Sequence, residues 1–375
     1  MSTSNGTTID DLLRLRDEVG VLSVYVGIDP ALEARARPPW QIELEKDIRA
    51  IRKRLRAEHE HARRMAVEDR LTELAPVLAE LADASVGGRG RALFVGVASG
   101  EIRSFDLQVE LGTGATLADV PHVFPLLRAD DGRPRAVVLL GRDSVRVLEV
   151  RLGRAEELRK LDVEAVVYDR AEKKGPAASN PFRGQKSVAQ RERWARHVEA
   201  DHRRRLTAAA EEIDRLARAR GWTLGVVAGD PRGARLLAET LTRAGVPTEL
   251  VDRDLIDAAP AHALADLAPV LAAAAERRDA ALVRSAIDAA AAGGRGAAGL
   301  ESVLGALDAS RVEELLLDGD GPPTGLADSG VPADPLFADR LALRAHETGA
   351  RTQVVGGEAA AALAGVGGVA AVLRS

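Results

Sequence analysis

A short glycine-containing loop leads into a basic helix near the middle of the chain. The loop ends in Arg183-Gly184-Gln185-Lys186, and the apolar spacing that follows predicts a helix over residues 187–219. Glycine permits backbone conformations closed to other residues, so the loop suits an exposed and flexible tip. We interpret the segment as a basic finger suited to insertion into an anionic partner, with RNA as the first candidate.

The net charge of this segment is opposite in sign to that of the whole chain. Residues 183–205 contain eight Arg or Lys and three Asp or Glu, a net charge of +5, whereas all 375 residues carry −5. The sequence pI of about 5.9 argues against indiscriminate nucleic-acid binding but allows contact through a local patch. Two plainer interpretations stay open. Gly-Gln can be an ordinary turn, and the arginines can be a solvated face, as the Glu192–Arg196 spacing would suit.

The composition of the chain excludes several kinds of chemical site. The chain has no cysteine, which excludes disulfides, thiolate nucleophiles and cysteine-ligated zinc. His197 and His202 lie five residues apart, unlike a helical zinc pair, so we expect no metal and no cofactor. The turn Asp230-Pro231-Arg232-Gly233 is interpreted as a fold element, and the glycine run at 365–368 as a turn into an edge strand. No signal pattern or membrane-spanning run is present, so we expect a soluble cytoplasmic protein that does not bind membranes.

The pattern of elements predicts an α/β fold with three domains, at residues 1–120, 121–262 and 263–375. The first is a mixed α/β domain, with a strand at 19–28, a helical stretch at 40–81 in which Pro76 starts a new helix or kinks the existing one, and a hairpin of 91–97 with 101–111. The second is an α/β domain with a largely parallel sheet and the long basic helix. Its elements are strands at 135–140, 144–152, 163–168, 222–228 and 247–251, and helices at 187–219 and 234–244.

The third domain is predicted to be an α/β/α sandwich. Its helices are expected at 264–275, 280–292, 299–307 and 336–348, and its strands at 312–317, 351–355 and within 365–374.

In their order, these segments resemble one family: the bacterial relatives of the archaeal and eukaryotic class I release factors, which include Pelota and the Vms-type peptidyl-tRNA hydrolases. Arg183-Gly184-Gln185-Lys186-Ser187-Val188 and the helix after it resemble the Gly-Gly-Gln loop and helix of that family. The strand pair at 136–150 resembles the start of its central domain. Residues 305–317 and 365–374 resemble its C-terminal domain, and Val21–Tyr25 the first strand of its N-terminal domain.

The resemblance implies hydrolysis of the ester that joins a peptide to tRNA. Gln185 would be catalytic, with its backbone N–H and side chain positioning water and the oxyanion, and Gly184 would be the hinge. The implied partners are the ribosome, through its RNA and the acceptor end of tRNA, and a translational GTPase. Phosphate contacts would come from the basic residues Arg183, Lys186, Arg191, Arg193, Arg196, Arg203 and Arg204.

Two departures from the family pattern separate the functional hypotheses. Arg183 stands where the family has its first glycine, and residues 1–120 contain no Asn-Ile-Lys-Ser motif, so stop-codon reading is not expected. One hypothesis is a peptidyl-tRNA hydrolase acting in ribosome rescue, which Gly184-Gln185 favours. The other is a non-hydrolytic factor in the vacant A site of idle ribosomes, like the related hibernation factor Balon, which Arg183 favours. An RNA-binding protein unconnected to the ribosome is a third interpretation.

Overall fold

The computed structural model describes residues 8–28, 39–58, 60–81, 88–130, 132–163, 188–321 and 334–374; side chains at 188–195, 197 and 198 lie outside this description. These residues form helices and strands throughout, which confirms the predicted α/β class. The chain divides into two compact units: Met1–Gly132 with Ala275–Ser375, and Arg133–Ala274. We call them the discontinuous unit and the central unit. The three-domain division at residues 120 and 262 stays a prediction.

The N-terminal part of the discontinuous unit forms an antiparallel sheet in the order β3-β2-β1-β4. In chain order its elements are α1 (Ile9–Leu13), β1 (Val21–Gly27), α2 (Pro39–Ala57), α3 (His61–Leu81), β2 (Gly90–Gly96), β3 (Ile102–Leu107), β4 (Gly114–Ala118) and α4 (Phe124–Ala129). Apolar side chains of α2 and α3 pack on one face of this sheet. The predicted hairpin is confirmed as β2 and β3.

The helical stretch is interrupted before Pro76, so the expectation that a new helix starts at this proline was wrong. α2 ends at Ala57 and α3 begins at His61, whereas Pro76 lies inside α3. The sequence at 58–60, Glu-His-Glu, offers no apolar side chain to the core. Pro76 has no N–H, so the helix lacks one backbone hydrogen bond there. Leu74 and Leu81 on either side of Pro76 are buried and keep the helix packed on the sheet.

Strand β4 was not predicted, and its outer edge is covered by side chains of α2. The Asp47 carboxylate accepts the Ala115 N–H at 3.1 Å, and Arg54 Nη2 donates to the Leu117 carbonyl at 2.6 Å. These two side chains occupy backbone groups that an edge strand otherwise presents for pairing.

The central unit contains a five-stranded mixed sheet in the order β7-β6-β5-β8-β9. Its elements are β5 (Arg135–Leu140), β6 (Ser144–Arg151), β7 (Arg154–Asp162), α5 (Val188–Arg220), β8 (Leu224–Ala228), α6 (Pro231–Arg243) and β9 (Thr248–Val251). β5, β8 and β9 are parallel, whereas β6 and β7 pair antiparallel, so the expectation of a largely parallel sheet was wrong for two of the four pairings.

The third strand of this sheet lies earlier in the chain than predicted. β7 spans Arg154–Asp162, whereas the prediction placed a strand at 163–168, of which 164–168 fall outside the described residues. β7 follows β6 through a two-residue turn with positive φ at Leu152 (49°) and Gly153 (72°). Leu-Gly is a weak signal for such a hairpin, and the charged, mostly exposed β7 lacks strand-like alternation.

One continuous helix, α7 (Pro260–Ala291), contains the boundary between the central unit and the C-terminal part, at residues 274 and 275, where two helices were predicted. The elements that follow are β10 (Gly296–Ala298), α8 (Leu300–Asp308), β11 (Val312–Asp318), α9 (Phe337–Glu347), β12 (Arg351–Val355), α10 (Gly357–Ala364) and β13 (Val369–Leu373). The sheet order is β10-β13-β11-β12, so the C-terminal strand is internal and the predicted edge strand was wrong.

Helices cover both faces of this C-terminal sheet. Leu316 of β11 packs with residues of α7 and α10. Its neighbours Leu315 and Leu317 are fully buried and point to the opposite face, and α8 and α9 also contact these strands.

A buried carboxylate joins the N-terminal and C-terminal parts of the discontinuous unit. Asp339 of α9 is 1% exposed and accepts the His122 Nδ1–H at 2.8 Å and the Phe124 backbone N–H at 2.7 Å. Burial, and then the charge of Asp339, raise the pKa of the nearby Tyr25 hydroxyl well above its usual value. The Tyr25 hydroxyl therefore stays a donor, and it donates to the His122 carbonyl.

Candidate RNA-contacting site

The structure describes the predicted helix but not the predicted loop before it. Arg183, Gly184, Gln185 and Lys186 lie outside the described residues, as do the side chains of Arg191 and Arg193. The helix itself is confirmed: α5 begins at Val188, three residues after Gln185, and continues to Arg220.

One apolar stripe fixes α5 on the central sheet. Leu206, Ala209, Ala210, Ile213 and Ala217 recur at helical spacing and are all buried in the core of this unit. The opposite face of the helix is therefore exposed. Because the stripe lies in the second half of α5, the sheet holds that half.

The arginines of α5 differ in their pairing. Arg203 is exposed and forms no ion pair with any residue that the structure describes, whereas Arg204 and Arg205 share Asp201 at 2.8 and 3.2 Å. Arg196 is exposed. Of the predicted contacts with described side chains, Arg203 keeps its charge most available to a phosphate.

The second half of α5 is close to neutral. Arg215 pairs with Glu212 at 2.5 Å, and Arg218 with Asp214 at 2.9 Å. The hydrogen bond from Arg218 lowers the pKa of the exposed Asp214 carboxyl, so this carboxylate stays charged at neutral pH. Beyond Arg203, which lies near the middle of α5, the arginines of this helix are thus paired with carboxylates.

His202 joins α5 to the end of β7. Its Nδ1 lies 3.0 Å from the Val163 carbonyl oxygen, and the Val163 N–H donates to the Asp143 carbonyl at 2.9 Å. A carbonyl only accepts, so Nδ1 carries the proton. His202 lies 14 residues after Val188, roughly 21 Å along the helix. It was considered in the sequence only as a metal ligand, and this bond to Val163 was not predicted.

A crevice of about 1280 Å³ opens at the carboxyl ends of β5, β8 and β9, next to His202 and Arg203. Ligands of open α/β sheets bind at such an edge. It is lined by Leu140, Gly141, Arg142, Asp143, Glu199, His202, Arg203, Leu206, Thr207, Gly229, Asp230, Arg232, Gly233, Leu236, Asp252 and Asp254.

Close backbone approach shapes this crevice. Gly229 has φ +142°, and a Cβ there would lie 2.3 Å from the Leu140 carbonyl oxygen. Asp230 then caps α6 by accepting the N–H groups of Arg232 and Gly233. The sequence signal for this site was Asp230-Pro231-Arg232-Gly233, which was interpreted as a fold element alone; Arg142 and Arg232 were missed as candidate binding residues.

Within the described part of the chain, no group of three or more His, Asp or Glu side chains is arranged to hold a metal ion. None of the helices described there is both long and apolar enough to cross a membrane. The described side chains offer cations, hydrogen-bond donors and a crevice, which suit binding of an anionic polymer.

Comparison with known proteins identifies the family of the central segment. Residues 121–277 match the model of bacterial archaeo-eukaryotic release factor family 10. This segment contains the whole crevice, α5 and the Arg-Gly-Gln loop. No curated protein sequence matches the chain significantly.

Solved structures give fainter similarities. A model of ribosome-bound archaeal Pelota and ABCE1 aligns at 17% identity over 74% of this chain and 72% of that one, with a TM-score of 0.40. Dom34 of S. cerevisiae aligns at 12% identity over 76% and 78%, with a TM-score of 0.39. The archaeal termination factor aRF1 aligns at 16% over 98% and 96%, with a TM-score of 0.24. The similarity to the bacterial archaeo-eukaryotic release factors thus rests on the match of residues 121–277.

Proposed function

We propose that the chain is a ribosome-associated factor that hydrolyses peptidyl-tRNA esters in ribosome rescue. The observation that carries the proposal is the release-factor family match over residues 121–277, within which the 33-residue helix α5 begins three residues after Gly184-Gln185. The proposed partners are ribosomal RNA, the tRNA acceptor end and a translational GTPase, in the cytoplasm.

The proposed chemistry needs no titrating side chain at the tip. Gln185 would place its backbone N–H against the oxygen that becomes negatively charged during ester hydrolysis, and its side-chain amide would hold the attacking water. Gly184 would supply the backbone freedom that this geometry requires. Arg183, Lys186, Arg191, Arg193, Arg196, Arg203 and Arg204 would hold phosphates and so position the loop without reading sequence.

One feature favours the alternative, a non-hydrolytic hibernation factor in the ribosomal A site. Arg183 occupies the place of the first family glycine, and a non-glycine residue adopts positive φ only at a cost. A loop held back from the hydrolytic conformation would still bind through its positive charge. Binding without hydrolysis is therefore the second proposal.

Co-sedimentation with ribosomes tests both proposals together. We expect the chain to pellet with ribosomes at low salt and to be released as salt rises, because phosphate contacts displace counterions. If it stays in the supernatant even at low salt, neither proposal holds.

Peptide release from ribosome-bound peptidyl-tRNA separates the two proposals. Under the hydrolase proposal, Gln185→Ala keeps the backbone N–H but removes the side-chain amide that would hold the attacking water, and reduces the rate about 10²-fold, the scale of loss when one polar group that stabilises the transition state is removed. Gln108→Ala, at an exposed glutamine of the N-terminal part, is the control and leaves the rate unchanged. Equal background rates for all three proteins would leave the binding factor, and Arg183→Gly then tests whether a glycine restores release.

A further inference from the structure

We propose that the crevice at the carboxyl ends of β5, β8 and β9 binds a short stretch of single-stranded RNA, with Arg142 and Arg232 as phosphate contacts beside Arg203. The inference rests on the proposed function in that it supplies a further RNA contact for the same factor. It adds a site made by residues outside the Arg-Gly-Gln loop.

Three arginines from three different elements converge on the crevice. Arg142 lies in the β5–β6 turn, Arg203 on α5 and Arg232 in the first turn of α6. All three are exposed, and none forms an ion pair with a residue in the described ranges. Arg215 and Arg218, farther along α5, are paired by contrast. Guanidinium groups left without carboxylate partners suit phosphate, to which they bind bidentately.

The carboxylates of the crevice fall into two groups. Asp230 and Asp254 are occupied by backbone N–H groups, those of Arg232 and Gly233 and that of Ile256 respectively. Because Asp230 already caps α6, the start of that helix is not the phosphate site.

The other carboxylates balance the arginines in number. Asp143, Glu199 and Asp252 are exposed, and their side chains have no ion pair among the described residues. Glu199 and Arg203 have the spacing of a helical pair yet do not form one. Unpaired charges of both signs suit a ligand that carries phosphates together with donors, which the exocyclic amines and 2′-hydroxyls of RNA provide.

The apolar part of the crevice suits a base. Leu140, Leu206 and Leu236 line it, and Arg203 and Arg232 offer planar guanidinium groups on which unstacked bases can lie. Pockets for drug-sized ligands hold about 300–1,000 Å³. The crevice volume of about 1280 Å³ therefore favours a strand of more than one nucleotide over a free mononucleotide.

Fluorescence anisotropy with a labelled single-stranded RNA octamer tests the site on the full chain. We expect Arg142→Gln/Arg232→Gln to weaken binding at least ~10-fold, as the loss of two charge-assisted contacts implies. The matched control is Arg215→Gln/Arg218→Gln, which removes the same net charge from paired arginines and should change affinity less than ~2-fold. Equal losses in both variants, or no loss in either, would overturn the proposal.

Competition identifies the ligand. Unlabelled octamer should displace the probe at far lower concentration than AMP; displacement by AMP at the same nucleotide concentration would refute strand binding. Crevice-dependent binding of a mixed-charge peptide, with no RNA binding, would refute RNA as the ligand.

Failure of the site and failure of the proposed function are distinguishable. If wild type binds ribosomes but the octamer result does not depend on Arg142 and Arg232, the crevice proposal fails alone. If the octamer binds through these arginines but the chain never pellets with ribosomes, the ribosomal function fails and the site stands.

Discussion

Single carboxylates fix local backbone in this chain, and Asp17 is the clearest case. Its carboxylate accepts the N–H groups of Val19, Gly20, Ala98 and Ser99 at 2.9–3.1 Å. Burial raises the pKa of Asp17, but the hydrogen bonds from Ala98, Ser99 and Gly20 outweigh it and lower the pKa to about 2. The charged form is thus bound more tightly in the folded state than in the unfolded one.

Asp17→Asn should lower the free energy of unfolding at pH 7 by about 1–3 kcal/mol, because an amide accepts these bonds more weakly than a carboxylate. The folded pKa of Asp17 is depressed, so its contribution is complete above the unfolded value of 3.8 and declines as pH falls toward about 2. Urea unfolding at pH 7 and at pH 3 should therefore show a smaller difference at the lower pH. Glu18→Gln removes the same charge from an exposed neighbour and should have little effect.

Residue spacing did not predict how the arginines of the candidate site pair with carboxylates. Arg203 and Arg204 were equivalent by charge, but Asp201 engages only Arg204 and Arg205 among these neighbours. Side-chain pairing depends on rotamers and on the solvent around them, which residue spacing does not specify. Arg142 and Arg232 meet at one crevice because of the order of the strands in the sheet, and the local sequence pattern does not specify that order.

At the scale of elements, His202 connects a helix to a strand end. Replacing it with alanine removes the donor to the part-buried Val163 carbonyl and should cost about 1–3 kcal/mol locally. Amide hydrogen exchange in β7 should then become faster, whereas exchange in β8 should stay unchanged. His202→Asn, which keeps a donor, should recover part of the protection. Unaltered exchange in β7 for the alanine variant would mean that the contact does not hold the strand.

The covered edge of β4 makes a second prediction at this scale. Asp47→Ala with Arg54→Ala frees the Ala115 N–H and the Leu117 carbonyl, so strand edges of two molecules become available to each other. In sedimentation velocity, this variant should self-associate as its concentration rises. The control Lys46→Ala/Arg49→Ala changes exposed positions of the same helix and should sediment like a monomer. A variant with the control's sedimentation profile would argue against a protective role.

Strongly patterned elements were predictable and weakly patterned ones were not. α5, β5, β11 and β12 were located within one or two residues because their apolar periodicity is clear. β4, a Gly-Ala-Thr-Leu-Ala segment, has little strand propensity and forms because β1 offers a partner. α7 passes through Glu-Arg-Arg-Asp without interruption, since these residues are good enough helix formers when apolar residues on both sides are packed.

At the scale of the whole molecule, the two compact units have separate cores and should unfold separately. In calorimetry, Asp339→Ala should lower one transition, because two donors lose a buried acceptor at a cost of about 3 kcal/mol. Trp222→Phe should lower the other, since the buried Trp222 indole N–H donates to Glu149 at 2.9 Å in the central unit. Glu347→Ala, which breaks only an exposed ion pair, is the control. A single transition that shifts equally in both variants would contradict separate unfolding.

The bond between His122 and Asp339 joins residues 217 positions apart, with the entire central unit between them. At about 5–20 residues per second, the ribosome making this chain adds Asp339 roughly 10–40 s after His122. For that time the His122 ring and the Phe124 N–H lack their acceptor, while all of the central unit emerges and can fold. The N-terminal sheet is thus synthesised first. Its hydrogen bonds to Asp339 of α9 form only after the central unit, which is synthesised later, has left the exit tunnel.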